Sequence, residues 1–368
     1  MKKNHQKILY LGTDLYSVGG IQRYCNYQIR AIKESKLFIK SISLNPPSNV
    51  YFRKMNNIDF HSFGPTLIGK MYYLILAFYL AVRYRPHIIV CSHINLTPVV
   101  KILKIITSAK SFLNIYGLEI WSQPKKLIIK RLHVYDSIIG DCRNILDYVS
   151  DFLSDESLYL LYDPIDEEWV ENAKKNYTVP SNSKFSTADF IILTVGRLER
   201  QKGHSEVINI LNNLPRTIVY QILGDGFMKE ELSSLVKSLK LEDRVEFLGR
   251  VSDDELANYY QRSDLVLLIS SVGKDEGEGL PMGAIEGSSF GKPIIVGNQD
   301  GSREAISMKY INGVSIDPKD SDRLRSHILK YYKEPNLKQL HGEAGRKFSK
   351  KYFGYKSFKS KLLEILLK

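Results

Sequence analysis

The stretch "EGEGLPMGAIEGSSFGKP" (276–293) sets Glu276, Glu278 and Glu286 among five glycines. A carboxylate accepts hydrogen bonds from vicinal hydroxyls, so Glu278 and Glu286 together could grip a ribose and a hexose. The glycines allow tight turns or close backbone approach. From Pro281 onward the segment reads as a helix with proline in its first turn, and Glu286 about two turns along. In "VGRLERQKGH" (195–204) Arg197 and Lys202 share one loop, and a guanidinium and an ammonium converging there could hold a diphosphate. In "TDLYSVGGIQRY" (13–24) Gly19 and Gly20 lead into a helix, whose N-terminus favours an anion such as phosphate. Taken singly, these are also a solvated loop, two surface cations and an ordinary strand-to-helix turn. None is a Walker loop or a G-x-G-x-x-G fingerprint.

The elements that must position them alternate. Apolar runs predict strands at 7–12, 38–44, 87–93, 111–117 and 136–142, with helices at 21–35, 67–86 and 97–109 between them. After a polar stretch at 168–189, expected to connect two domains, the alternation restarts. Strands are predicted at 190–196, 217–224, 244–249, 264–270 and 292–297, and helices at 203–213, 227–241 and 252–263. Ser252 and Glu255 stand at capping-box spacing. Short continuous apolar strands separated by helices indicate α/β units with parallel sheets covered on both faces. Each motif then falls just past the carboxyl end of a strand, where open α/β sheets bind ligands.

The bulk numbers agree with two domains. The chain has 368 residues, 43% hydrophobic and 25% charged, as in soluble globular proteins. Three cysteines without metal-ligand spacing suggest a reduced, cytoplasmic setting. "MKKNHQKILYLG" reads as a first strand rather than a signal peptide, and no apolar run is expected to span a bilayer. Residues 1–150 hold 21 Lys and Arg against 7 Asp and Glu, whereas the remainder holds 31 against 33. Between Asp59 and Glu119 there is no acid, which suggests an anionic partner for the first half.

Together with "YGLEIW" (116–121), "LYDPID" (161–166), "ILGDG" (222–226), "VEFLGRVSDDEL" and "DGSREAI" (300–306), these motifs resemble the retaining nucleotide-sugar glycosyltransferases of the GT-B fold, glycosyltransferase family 4. The resemblance covers almost the whole chain. It implies two Rossmann-like domains facing across a cleft: an acceptor-side domain at 1–170, a nucleotide-sugar-binding domain at 171–345, and a C-terminal helix at 346–368 packing back on the first. Carried over by position, Glu286 would hold the ribose and Glu278 the transferred sugar. Arg197 and Lys202 would hold the diphosphate, with Gly19 and Gly20 approaching from the opposite domain and Gly224, Gly279, Leu280 and Pro281 lining the donor site. Glu276 matches nothing in the family pattern.

Many members have His where this chain has Tyr116, so Tyr116 and His93 are both candidates for that catalytic place, with Glu119 an acceptor contact or base. No D-x-D cluster appears near a strand end, so the resemblance implies a UDP- or GDP-sugar donor with no metal and no cofactor, the two cations stabilising the leaving diphosphate. A glycan or lipid-linked acceptor is expected.

Two rivals stand beside this reading. A nucleic-acid-binding protein would interleave bases with exposed aromatics, whereas the tyrosines of 71–84 are expected in a core helix, so no nucleic acid is expected as a partner. A catalytically silent sugar-nucleotide-binding protein is the second, kept open by Tyr116. The basic first half is also expected to touch anionic membrane surfaces peripherally, through "SQPKKLIIKRLH" (122–133), or else to pack that helix's apolar side on the sheet.

Overall fold

The short apolar runs fold as parallel strands in two separate sheets, in a computed structural model that describes residues 6–17, 19–47, 58–180, 184–186, 189–271 and 279–368. Two compact units result, one of residues 1–164 with 355–368 and one of residues 165–354.

Among the described residues the first unit has seven strands: β1 (Lys7–Gly12), β2 (Phe38–Ser43), β3 (Phe60–His61), β4 (Ile88–Cys91), β5 (Lys110–Ile115), β6 (Ser137–Gly140) and β7 (Leu158–Leu160). Their order is β3-β2-β1-β4-β5-β6-β7. β4 is buried along its whole length, which is why "IIVC" shows no polar alternation. The chain leaves β1 toward β3, then crosses back to β4. Right-handed crossovers therefore put the Gly20–Glu34 helix on one face and the Leu67–Tyr84 and Thr97–Ile106 helices on the other.

The final helix, Tyr355–Leu367, packs on the Gly20–Glu34 helix. Tyr24, Cys25, Ile29 and Ile32 meet Phe358, Leu362 and Ile365 in one buried cluster. Each such apolar side chain contributes roughly 1.5–3 kcal/mol of burial. A polar network threads the same core: Tyr10 Oη donates to Gln28 Oε1 at 2.8 Å, and Asn114 Nδ2 to the same oxygen at 2.8 Å. It ties β1, β5 and the Gly20–Glu34 helix together, and so fixes the loops that follow both strands.

The second unit holds β8 (Phe190–Val195), β9 (Ile218–Leu223), β10 (Val245–Gly249), β11 (Leu265–Leu268), β12 (Ile294–Gly297) and β13 (Gly313–Ile316) among its described residues. The order is β10-β9-β8-β11-β12-β13, again parallel. The Asp253–Arg262 helix opens with the expected capping box of Ser252 and Glu255.

Several expectations change. The polar stretch at 168–189 is not a plain connection, because a helix runs from Glu167 to Lys175. Asp166 caps it, Glu167 and Glu168 open it and Lys174 and Lys175 close it, as the helix dipole favours. Trp169 packs edge-on to Phe290, so this helix belongs to the second unit and the division falls at 164 rather than 170. The other division falls at 354 rather than 345. Residues 346–353 finish the Pro335–Phe353 helix, and an extended Gly354 separates it from the last one.

The Leu67–Tyr84 helix, expected in the core, is only 28% buried. It is also long and apolar enough to span a membrane by length and composition, contrary to expectation. It is nevertheless the β3-to-β4 crossover, seated on the sheet through Gly69, Tyr73, Ala77, Leu80 and Ala81.

Candidate active site

In the first sheet the chain reverses direction between β1 and β4, and the crevice outside the carboxyl ends at such a switch point is the ligand site of open α/β folds. Gly19 and Gly20 follow β1. Gly19 is the N-cap of a fifteen-residue helix that no side chain caps, and a Cβ on Gly20 would meet nothing within 4 Å. The loop before it is held by Asp14, whose carboxylate accepts from Tyr16 N at 3.0 Å and from Ser17 Oγ at 2.7 Å. Burial alone would raise the Asp14 pKa, but these hydrogen bonds outweigh it and lower it.

His93 follows β4 and is partly buried. Its Nδ1 accepts the Asn95 N–H at 3.1 Å, so a neutral ring carries its proton on Nε2. Burial, then the nearby Arg131 charge, lowers its pKa. His93 is therefore a neutral hydrogen-bond donor at neutral pH.

Tyr116, directly after the adjacent β5, has a different place from the one expected. It is 8% exposed, its hydroxyl lies 3.3 Å from Cys25 Sγ, and its ring meets Tyr24 edge-on. Burial pushes its phenol well above the usual range. The phenol is spent inside the core. Glu119, in the same loop, accepts from Tyr116 N at 2.6 Å and so braces the turn. Burial raises its pKa against the pull of the Tyr116, Glu119 and Gly117 backbone N–H groups.

In the second sheet the switch point lies between β8 and β11. Arg197 leaves the end of β8 with an exposed side chain ion-paired to Glu199. Lys202 closes a short turn and runs its stem back beside Gly196, 3.8 Å from where a Cβ would stand. The two cations thus share the end of one strand. Two glycines let other segments close on that end. Gly224, at φ +138, sits where a Cβ would lie 1.9 Å from Gly196 O, and a Cβ on Gly283 would lie 2.4 Å from Val195 O. Any side chain at either position would push the segments apart.

Gly283 belongs to the Met282–Ser289 helix, which Pro281 precedes as N-cap. Glu286 therefore stands just over one turn along, nearer the helix start than expected. It is 4% exposed, and its Oε2 accepts the Tyr260 hydroxyl at 2.8 Å. Leu280 is buried and Gly279 partly so, just before this helix. Glu276 and Glu278 lie outside the described residues. Arg197, Lys202 and Gly224 thus share the end of β8, onto which the helix of Glu286 closes through Gly283, while Gly19, Gly20, His93 and Glu119 belong to the first unit.

Residues 178–348 match the family described as Glycosyl transferases group 1. The match lies within the second unit and covers less than half of the chain. A solved structure of Anabaena HepE in complex with UDP aligns with this chain at TM-score 0.81 and 16% identity, covering 98% of this chain and 100% of that one. That likeness gives the chain the GT-B fold of two Rossmann-like domains. An uncharacterized glycosyltransferase of Methanocaldococcus jannaschii is 23% identical over 235 residues, 63% of this chain and 57% of that protein. The GDP-mannose-dependent alpha-(1-6)-phosphatidylinositol monomannoside mannosyltransferase of Mycobacterium tuberculosis is 25% identical over 181 residues, 48% of this chain and 46% of that one. The chain spans about half the length of the curated relatives it matches.

Two side chains that support the candidate site escape a reading of the sequence. Tyr260, stacked on Phe290, orients Glu286. His204 lies within hydrogen-bonding distance of Arg197 O through Nε2, at 3.3 Å, and of the Tyr220 hydroxyl through Nδ1, at 3.1 Å. Burial lowers its pKa to about 4, so it braces the Arg197 loop as a neutral ring. Its position directly after Gly203 was the one local signal.

Proposed function

We propose that this protein transfers a hexose from a nucleoside-diphosphate sugar to a glycan acceptor, lipid-linked or part of a surface polysaccharide precursor, with retention at the anomeric carbon. The observation that carries this reading is the buried, Tyr260-held Glu286 carboxylate on the helix whose Gly283 closes on the β8 end that the Arg197 and Lys202 loop leaves. In this reading Glu286 accepts hydrogen bonds from the ribose hydroxyls and Glu278 from those of the transferred sugar. Arg197 and Lys202 neutralise the diphosphate as the glycosidic bond breaks, so departure of the leaving group needs no metal ion. In the first unit, His93 has an Nε2–H to offer a sugar hydroxyl, and the helix N-terminus at Gly19 and Gly20 has donors to offer an anion.

The names of two relatives support the donor and acceptor classes. HepE is described with UDP, and the mycobacterial enzyme uses GDP-mannose and a phosphatidylinositol mannoside. We place the activity in the cytoplasm, at the inner face of a membrane.

Calorimetric titration tests the assignment. Glu286→Ala should weaken free UDP or GDP and the sugar-bearing donor alike, whereas Glu278→Ala should weaken only the latter. Equal losses in the Glu278 variant would overturn the division. Product anomers read by NMR test retention.

A second reading is a sugar-nucleotide-binding protein that transfers nothing, favoured by the burial of Tyr116 in the core. Donor binding with neither transfer nor hydrolysis over a donor panel would establish it.

A further inference from the structure

The outer side of the Leu67–Tyr84 helix is apolar and unpartnered among the described residues. Ile68, Met71, Ile75, Tyr79 and Val82 recur at helical spacing opposite the buried stripe of Tyr73, Ala77 and Leu80. Leu67 is 76% exposed, and Ile105, on the Thr97–Ile106 helix packed alongside, is 80% exposed. A helix apolar on both sides is ordinarily buried on both. Here one side is open along eighteen residues, about 27 Å at 1.5 Å per residue. Patches of this extent mark interaction surfaces rather than scattered apolar residues.

Charge chooses the partner. From residue 60 to residue 118 the chain carries Lys70, Arg83, Arg85, Lys101, Lys104 and Lys110 and no acid. Lys70, Arg83, Arg85 and Lys101 are exposed on or beside the two helices, and Lys104 is the one paired with Asp136, at 3.0 Å. A second copy seated on the same face would oppose cation to cation. Tyr72 and Tyr79, expected in the core, are 41% and 58% exposed, but a nucleic acid would find them among aliphatic residues, with only Lys70 and Arg83 on the same helix to meet its phosphates. A bilayer containing anionic lipid matches both properties at once, apolar residues entering the acyl boundary and cations meeting the headgroups.

We infer that the Leu67–Tyr84 and Thr97–Ile106 helices dock this protein flat on an anionic bilayer surface. The sheet contacts on its other side keep the first helix along the surface and not across the bilayer. This relocates the membrane contact expected at 122–133. The Lys125–Leu132 helix there turns Ile128 and Leu132 fully inward and leaves Leu127 as its main exposed apolar residue. The inference rests on the first unit alone and does not depend on the donor-site assignment.

Full-chain protein is sedimented with vesicles of phosphatidylcholine alone and of phosphatidylcholine with phosphatidylglycerol, at low and high salt. Binding should need phosphatidylglycerol and fall with salt. It should weaken by about tenfold or more in Ile75→Glu with Ile105→Glu, and less in Ile75→Gln with Ile105→Gln. Lys126→Glu with Lys130→Glu should retain most of it. All of these residues lie on the surface, and an unchanged circular dichroism spectrum with an unchanged melting temperature shows that each variant is folded. Protein left in the supernatant with anionic vesicles overturns the inference, as does full binding by the Ile75 and Ile105 variants. A dimer in light scattering, or an oligonucleotide complex, that the same substitutions abolish would assign the face to those partners instead.

Discussion

The Tyr260 hydroxyl donates to the Glu286 carboxylate at 2.8 Å, from a helix 26 residues earlier in the chain. This bond holds a carboxylate that is 4% exposed in one orientation. Tyr260→Phe should leave that carboxylate one donor short, at a cost of about 1–3 kcal/mol to the folded state. Affinity for UDP or GDP and for the sugar-bearing donor should fall together, because both present the ribose. Calorimetry and thermal unfolding read the two effects; a loss confined to the sugar-bearing donor would remove Glu286 from the ribose.

Arg197 and Lys202 share the loop that leaves the end of β8, and in the proposed function both hold the departing diphosphate. Arg197→Ala and Lys202→Ala should lower kcat by about a hundredfold while changing KM far less. Steady-state transfer kinetics decide it. A rise in KM at constant kcat would make both residues ground-state contacts only.

His204 gives the second unit a pH dependence with a defined sign. Its folded pKa is lowered from 6.5 to about 4, so the stability it contributes is present above pH 6.5 and is lost as pH falls through about 4. The loss should be on the order of 3 kcal/mol across that window. In His204→Asn, denaturant unfolding should start from lower stability at pH 7 and change less toward pH 4. A variant whose stability still tracks the parent's through the window would refute the assignment.

His93 and Tyr116 separate under substitution. Tyr116→Phe removes a hydroxyl buried against Cys25, so transfer should persist with a stability change of roughly 1 kcal/mol. His93→Ala should abolish transfer while leaving donor affinity intact, and His93→Gln should restore part of it by supplying an amide donor. A fully active His93→Ala enzyme would make the histidine a cap for residues 94–96 and nothing more.

Much of the fold was legible in local pattern. The runs "KILYLG" and "FIILTV" are apolar without alternation because parallel strands bury both faces, and β1 and β8 form where they stand. The Ser252–Glu255 capping box is a contact over three residues, so spacing alone predicts it. The order of the motifs likewise resembled that of the GT-B glycosyltransferases, and the fold which that resemblance implied is the one observed. β3, β7 and β13 lie at sheet edges and are only partly buried, so they lack the continuous apolar run that made the similarly short β4 and β11 legible.

What the sequence by itself determined is therefore the set of elements and the residue types delivered to the strand ends: Arg197, Lys202 and Glu286 in one half, Gly19, Gly20 and His93 in the other. Tertiary structure decided what those residues touch. Tyr260 reaches Glu286, and His204 the Arg197 carbonyl, through pairings that depend on which helix packs on which strand. Tyr116 is a core residue because the Gly20–Glu34 helix, itself covered by the last helix of the chain, brings Tyr24 and Cys25 onto β5. The Leu67–Tyr84 helix is apolar on all sides, so periodicity cannot select its inner face; the sheet takes one side and leaves the other to water or lipid. Burial is a property of what arrives from elsewhere in the chain, and no local stretch encodes it.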